Sequence, residues 1–258
     1  FAAKRILILH AGGESRRLPL YAPEGKLFAP VPAATSCLIP PVVLDLQLNL
    51  YLRYPWADGE IVVASGDVIV DFETGQIPEA RGDLCGFAAR TSTAQGAQHG
   101  VYSFDESGSG VKDYFQKQSE GYLRQHAVFE GTDSCAMDIG IVALSPKFAS
   151  SLLRVAEDAL QFSASPCFFN LYDEVLNCCI PGIDYGRYLA RCGESGIPSA
   201  RKKRLFGGLH EFRLNGVLTE GTTFLHLGSL SEYPRACKVI CDLGMKPFYV
   251  FTASAEIS

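Results

Sequence analysis

Hydrophobic and polar positions alternate along this chain in two textures. Residues 5–10, Arg-Ile-Leu-Ile-Leu-His, form a continuous apolar run that ends on Ala11-Gly12-Gly13. That pattern predicts a buried parallel strand entering a glycine turn. Over 42–54 the apolar residues fall at 42, 43, 46, 50 and 51, a helical spacing that stops at Pro55. Short apolar runs at 61–64, 84–89 and 139–144 predict three further buried strands, the first leading into Ser65-Gly66-Asp67. Residues 101–104 and 111–115 flank a Glu-Ser-Gly-Ser-Gly turn and read as a hairpin. Ser145 and Pro146 supply an N-cap and a first helical residue for a helix running to about Asp158, and 168–179 reads as another helix.

Strands alternating with helices predict an α/β domain with a mostly parallel sheet over 1–208. After Gly208 the texture changes. Residues 209–214, 223–227 and 248–251 are short strand-like pieces without long helices between them, so 209–258 reads as a small β-rich extension. The run Arg201-Lys202-Lys203-Arg204 reads as a solvated loop. A length of 258 residues, 47% apolar and 20% charged, suits one large domain, or a domain with an appendage, and excludes disorder. With 23 basic and 28 acidic side chains, the net charge of −5 argues against general nucleic-acid binding. The longest mostly apolar stretch, 38–52, is broken by Asp45, Gln47 and Asn49 and falls short of the roughly 20 residues of a membrane helix. Nine scattered cysteines lack zinc-site spacing and read as free, mostly buried thiols in a reducing, cytoplasmic setting. The chain starts at Phe1, close to its first strand, and so reads as a fragment.

The most informative segment is His10-Ala-Gly-Gly-Glu-Ser-Arg-Arg-Leu-Pro19, continued to Lys26. Two glycines after a strand let backbone N–H groups face a ligand closely. Arg16 and, ten residues on, Lys26 add positive charge. That suits a polyphosphate, while a tight turn with surface arginines has the same spacing. The segment is not a P-loop, because Leu20 and Leu27 stand at the diagnostic places. It lacks the third glycine of a dinucleotide fingerprint, and Ser15 lacks the glycines of a nucleophile elbow. Asp67 closes a buried strand, where ligands of open α/β sheets sit; it can hold Mg²⁺ or cap its turn.

The string HAGGESRRLPLYAPEGKLFAPVP resembles the signature loop of sugar-phosphate nucleotidyltransferases. More narrowly, it resembles the GDP-fucose pyrophosphorylase half of the bifunctional fucokinase/GDP-fucose pyrophosphorylases. Further resemblances follow in order: Ala64-Ser65-Gly66-Asp67, His99-Gly100-Val101, Phe115-Gln116-Lys117, Met137-Asp138-Ile139-Gly140-Ile141, Asn170-Leu171-Tyr172-Asp173 and Leu225-His226-Leu227-Gly228-Ser229. Asn170 stands where that family usually has Asp. The family's β-helix is barely begun at 248–257, and its kinase half, needed to phosphorylate fucose, is absent.

The resemblance implies a Rossmann-like sugar-phosphate nucleotidyltransferase fold with the start of a β-helical C-terminal extension. It implies transfer from GTP to L-fucose 1-phosphate, or to a related sugar such as D-arabinose 1-phosphate, with Mg²⁺. A non-catalytic nucleotide-sugar-binding module and a structural assembly domain are the rival readings. Arg16, Lys26 and Lys117 are the implied catalytic residues. Ala11, Gly12, Gly13, Ser65, Gly66, His99, Gly100, Gly140 and Asp173 are implied in substrate binding, and Asp67 in holding the metal. Asp138 is implied as a sugar-hydroxyl acceptor or a second metal ligand. Residues alone make Lys117 a surface lysine, Asp173 a helix-face carboxylate and His99 a structural histidine. Lys117 and Asp138 are expected to face the same cleft as Gly12 and Gly13. The implied partners are the two substrates, no nucleic acid and no membrane, with a β-helix and a sugar kinase fused in the full protein.

Overall fold

In the computed structural model, the apolar run that ends at Leu144 becomes β7 (Ser134–Leu144), a strand flanked on both sides in a mixed sheet. The structure describes residues 4–10, 18–19, 25–35, 38–106, 108, 110–161, 169–192 and 197–247. The chain divides into two compact units. One comprises Phe1–Ile6, Trp56–Val63 and Ile77–Thr219; the other comprises Leu7–Pro55, Ala64–Gln76 and Glu220–Ser258.

In the first unit β2 (Ile61–Ser65, of which 61–63 belong here), β7, β4 (Leu84–Ser92) and β8 (Leu214–Thr219) are neighbours in that order. β4 runs antiparallel to β7 and parallel to β8. The hairpin of β5 (Gly100–Phe104) and β6 (Val111–Gln116) forms as expected, and β5 joins the end of β7 antiparallel. The sheet is therefore mixed and not mostly parallel. Between β4 and β7 the chain inserts this hairpin with only short helices, α2 (Thr93–Gly96) and α3 (Glu120–His126), so no long crossover forces the strands parallel. α4 (Pro146–Gln161) follows β7, with the Ser145 hydroxyl accepting from the Phe148 amide at 3.1 Å. Leu84, Ala88, Tyr102, Val142, Phe148, Tyr188, Leu205 and Leu209 form its core.

Two expectations fail here, for local reasons, and a third holds in altered form. Residues 201–204 are not a loop: they lie in α6 (Ser199–Leu209). Lys202, Leu205 and Leu209 are its buried residues, and they share one helical face that a count of charges hides. Leu209 ends that helix, so the strand expected at 209–214 begins instead at Leu214 as β8. The helix expected at 168–179 appears as a π-helical segment, Leu171–Leu176, with Asn170 accepting from the Tyr172 and Asp173 amides. Ser119 and Asp184 cap α3 and α5 (Tyr185–Arg191), two short helices that apolar periodicity does not reveal.

The second unit holds nearly all of β1 (Ile6–His10), α1 (Val43–Arg53), β3 (Val68–Asp71), β9 (Thr223–His226) and α7 (Glu232–Asp242). α1 starts where Asp45 accepts from the Val42 amide at 2.7 Å and ends at extended Tyr54, before Pro55. β3 pairs antiparallel with β9, setting Val68 opposite His226. Ala29, Val31, Val43, Leu46, Ile69, Leu227, Ala236 and Ile240 form the core of this unit. α7 also departs from the texture expected after Gly208: Ala236 and Ile240, four apart, are the face it buries. Residues 248–258, where a β-helix was expected to begin, lie outside the described residues.

The described cysteines are free, and Cys85, Cys135, Cys178, Cys179 and Cys192 are buried. Burial pushes the Cys85 thiol up to about 12 and the Cys135 thiol to about 11, so neither is a thiolate near neutral pH. Among the described residues no helix is long and apolar enough to cross a membrane.

Candidate active site

Two clusters of charged and polar side chains gather most of the residues that the motifs point to, one in each unit. In the second unit, β2 ends at Ser65 and the chain turns through Gly66, whose amide donates to the His10 carbonyl at 3.0 Å. The turn is fastened from below by Gln47, almost wholly buried on α1. Its Nε2 donates to the Ser65 carbonyl at 3.0 Å and to the Val68 carbonyl. Asp67 is thereby presented at the end of the strand. Its Oδ2 accepts from Lys26 Nζ at 3.0 Å, and its Oδ1 from the Ser65 hydroxyl at 2.8 Å.

The β3–β9 register brings His226 to the same carboxylate, with Nε2 3.6 Å from Asp67 Oδ2. The other ring nitrogen, Nδ1, lies 2.9 Å from Glu232 Oε1, and the Ser229 hydroxyl donates to Glu232 Oε2 at 2.6 Å. Gly228 is what permits this approach. A Cβ there would come within 2.5 Å of the His226 ring and 3.3 Å of Asp67 Oδ2. Burial pushes the Asp67 carboxyl up, but His226 first and Lys26 second overcome it and hold it well below the usual carboxylate range. Burial likewise pushes His226 down, and its two carboxylate neighbours more than offset this, so the ring is raised above its ordinary value. Lys26, Asp67, His226 and Glu232 form a connected chain of ionisable groups.

In the first unit the second cluster centres on Asp138, whose side chain is nearly buried on β7. Its Oδ1 accepts from the Gly140 amide at 2.7 Å and its Oδ2 from the Tyr114 hydroxyl at 3.0 Å. Burial dominates and pushes the Asp138 carboxyl up to about 6, against the pull of Gly140, Tyr114 and Tyr102. Lys117 follows β6 with φ of 48°, the left-handed region, and its amide donates to the His99 carbonyl at 3.0 Å. A non-glycine residue held there is a mark of constraint that clusters at functional sites. Asp173, on the π-helical segment, accepts from Asn170 Nδ2 at 3.0 Å. Burial raises its carboxyl, and the charge of Lys117 partly opposes that. Tyr172 of the same segment stacks on Tyr114, with centroids 6.4 Å apart.

Thus Lys26, Ser65, Gly66 and Asp67 share one cluster, and His99, Gly100, Lys117, Asp138, Gly140 and Asp173 belong to the unit that holds the other. Ala11, Gly12, Gly13 and Arg16 lie outside the described residues, and with them the cleft expected to unite these groups. Among the described residues no set of three His, Cys, Asp or Glu side chains is arranged to cage a metal. Sequence reasoning gave no role to Gln47, Tyr114, His226 or Glu232. His226 had a signal, its place in Leu-His-Leu-Gly-Ser; the other three carried none.

Charged clusters at strand ends of an α/β protein describe a ligand-binding class, and comparison of the sequence narrows it. The chain belongs to the fucose pyrophosphorylase domain family, whose profile matches residues 1–248. It is 34% identical over 180 residues to the L-fucokinase/L-fucose-1-P guanylyltransferase of Bacteroides fragilis, covering 66% of this chain and 18% of that protein. It is 26% identical to the fucose-1-phosphate guanylyltransferase of Homo sapiens, covering 88% of this chain and 42% of that protein. For the bifunctional fucokinase/GDP-fucose pyrophosphorylase of Arabidopsis thaliana the identity is 25%, over 90% of this chain and 23% of that protein. The chain therefore spans less than half the length of these relatives.

Proposed function

We propose that this chain transfers a guanylyl group from GTP to L-fucose 1-phosphate, giving GDP-L-fucose and pyrophosphate, on a Rossmann-like nucleotidyltransferase fold. The observation that carries the reading is the Lys26–Asp67 pair, held at a strand end in a chain that matches the family profile over 1–248. The sugar phosphate is its own nucleophile. Its second pKa lies near ~6, so it is largely dianionic at neutral pH and needs no protein base. One of its oxygens attacks the α-phosphorus of GTP, and the bond to the β-phosphate oxygen breaks. Lys26 and Arg16 stabilise the charge that gathers on the leaving pyrophosphate, while the amides of Ala11, Gly12 and Gly13 and the Ser65-Gly66 turn hold the nucleotide.

Lys117 binds the sugar phosphate. Asp138 and Asp173 are assigned to sugar hydroxyls, and the backbone of His99, Gly100 and Gly140 shapes that side. A single carboxylate, with Oδ1 engaged by a neutral hydroxyl among the described residues, fits an Mg²⁺ that arrives with phosphate oxygens and water. When bound, that ion would neutralise phosphate charge at Asp67. The names of two relatives include a fucokinase, which supports a kinase fused to this domain in the full protein. Free buried thiols favour a cytoplasmic setting.

The test is a matrix of the four nucleoside triphosphates against fucose, arabinose, mannose and glucose 1-phosphates, read by pyrophosphate release and product mass. GTP with fucose 1-phosphate is expected to lead. Comparable arabinose turnover would widen the sugar assignment, since one methyl is worth only ~1–3 kcal/mol of discrimination. No turnover with any pair refutes the proposal.

A further inference from the structure

Three short motifs of the first unit, His99-Gly100, Gln116-Lys117 and Asp138-Ile139-Gly140, converge on a side chain that none of them contains. The Tyr114 hydroxyl lies 3.0 Å from Asp138 Oδ2 and 2.9 Å from Gln116 Oε1. Gly100, paired with Gln116 across the hairpin, leaves the space for it: a Cβ at 100 would lie 2.1 Å from the Tyr114 oxygen and 2.8 Å from Gln116 Oε1. Tyr114 is held on its other sides as well. Its ring is 4.8 Å from that of fully buried Tyr102 and stacks on Tyr172. Arg191 of α5 forks onto the Asp113 carboxylate, its second nitrogen donating at 2.6 Å, and so fixes the strand just before Tyr114.

A hydroxyl has one proton, and here two oxygens face it. The two ends of a glutamine amide are alike in shape, and the end with Nε2 toward Tyr114 gives the Tyr114 oxygen a donor. Gln116 then donates to the Tyr114 oxygen, Tyr114 donates to Asp138 Oδ2, and Gly140 donates to Oδ1. Burial, and then the charge of Asp138, keep the Tyr114 hydroxyl protonated and therefore a donor. The chain of donors ends on Asp138, assigned above to a sugar hydroxyl, and starts on the residue before Lys117, assigned above to the sugar phosphate.

We propose that Tyr114 and Gln116 are positioning residues for the sugar side of the site, aiming the Asp138 carboxylate and anchoring the backbone from which Lys117 projects. The inference rests on the functional reading above. In this proposal each residue acts through Asp138 or Lys117 and not on the substrate itself, and the shared hydrogen bonds make the loss of one member felt by the others.

The experiment compares wild type, Tyr114→Phe and Gln116→Leu, in the full-length protein, by thermal melting and by steady-state kinetics with each substrate varied. Tyr114→Phe keeps the ring and its stacking. It is expected to raise the KM for fucose 1-phosphate about tenfold while leaving the KM for GTP within about twofold. Gln116→Leu is expected to do the same to a smaller degree, and Gln116→Glu, which keeps an acceptor and loses the donor, is expected not to restore it. Unchanged kinetics in folded Tyr114→Phe and Gln116→Leu, or equal losses toward both substrates, overturn the inference while leaving the functional reading intact. A wild type that turns over no sugar 1-phosphate removes both.

Discussion

Asp67 and Asp138 are both carboxylates on or beside a buried strand, yet the two units treat them oppositely. Asp67 lies beside Lys26 at 3.0 Å and His226 at 3.6 Å, and these hold its carboxyl well below the usual range against the cost of burial. Among the described residues Asp138 accepts from an amide and the Tyr114 hydroxyl, both neutral, and burial wins, pushing it up to about 6. Counter-charge, and not depth of burial, decides the direction of the shift. The difference suits the proposed division of labour: one cluster stabilises phosphate charge, and the other accepts hydrogen bonds from a neutral sugar.

Four substitutions stress that contrast, beginning with the largest expected effect. Lys26→Ala is expected to lower guanylyl transfer by ~10²–10³-fold with the fold preserved, the scale of losing one charged stabiliser. Full activity in a folded variant would remove Lys26 from the site. Asp138 supplies the next test. Its folded pKa is raised above its ordinary value of 3.8, so its ionisation opposes folding. Wild-type stability should therefore be highest, on this group's account, below about pH 4. It should fall as pH rises to about 6 and level off above, by at most about 3 kcal/mol at 1.36 kcal/mol per unit. Denaturant titrations of Asp138→Asn across that window should lack the decline; an identical pH profile would contradict the assignment.

Asp67→Asn leaves Lys26 and His226 without their shared anion. It is expected to lower unfolding stability by about 1–2 kcal/mol, less than for a fully buried pair because both partners retain some solvent. Activity should also demand more Mg²⁺, and an unchanged Mg²⁺ titration would remove Asp67 from the metal. Ser65→Ala deletes one neutral hydrogen bond to Asp67 Oδ1 and should cost only about 0.5–1.5 kcal/mol in a thermal or urea melt.

Much of the first unit was legible in the sequence because its strands are long and apolar. The runs ending at Leu144 and Ala89, and the hairpin around its glycine turn, carry local signals strong enough to locate them. Strand direction carried none: β4 is parallel to β8 and antiparallel to β7, and only the connections decide that. α6 was hidden because Lys202 is buried among basic neighbours, and composition does not reveal which face a charged residue takes. Lys26, Asp67, Lys117 and Asp138 were singled out because each sits in a string that resembles the family's. Tyr114 and Gln47 act through long-range contacts, across 24 and 18 to 21 residues respectively, and no local pattern marks such residues.

The division of labour between the clusters is tested most directly by one crossed kinetic comparison. Initial rates of GDP-fucose formation are measured for wild type, Lys26→Ala and Lys117→Ala, with GTP and fucose 1-phosphate each varied at saturating partner. The account predicts that Lys117→Ala raises the fucose 1-phosphate KM by about tenfold or more with the GTP KM within about twofold, whereas Lys26→Ala acts on kcat and the GTP term. A Lys117→Ala enzyme whose two KM values rise together, or do not move, would contradict it.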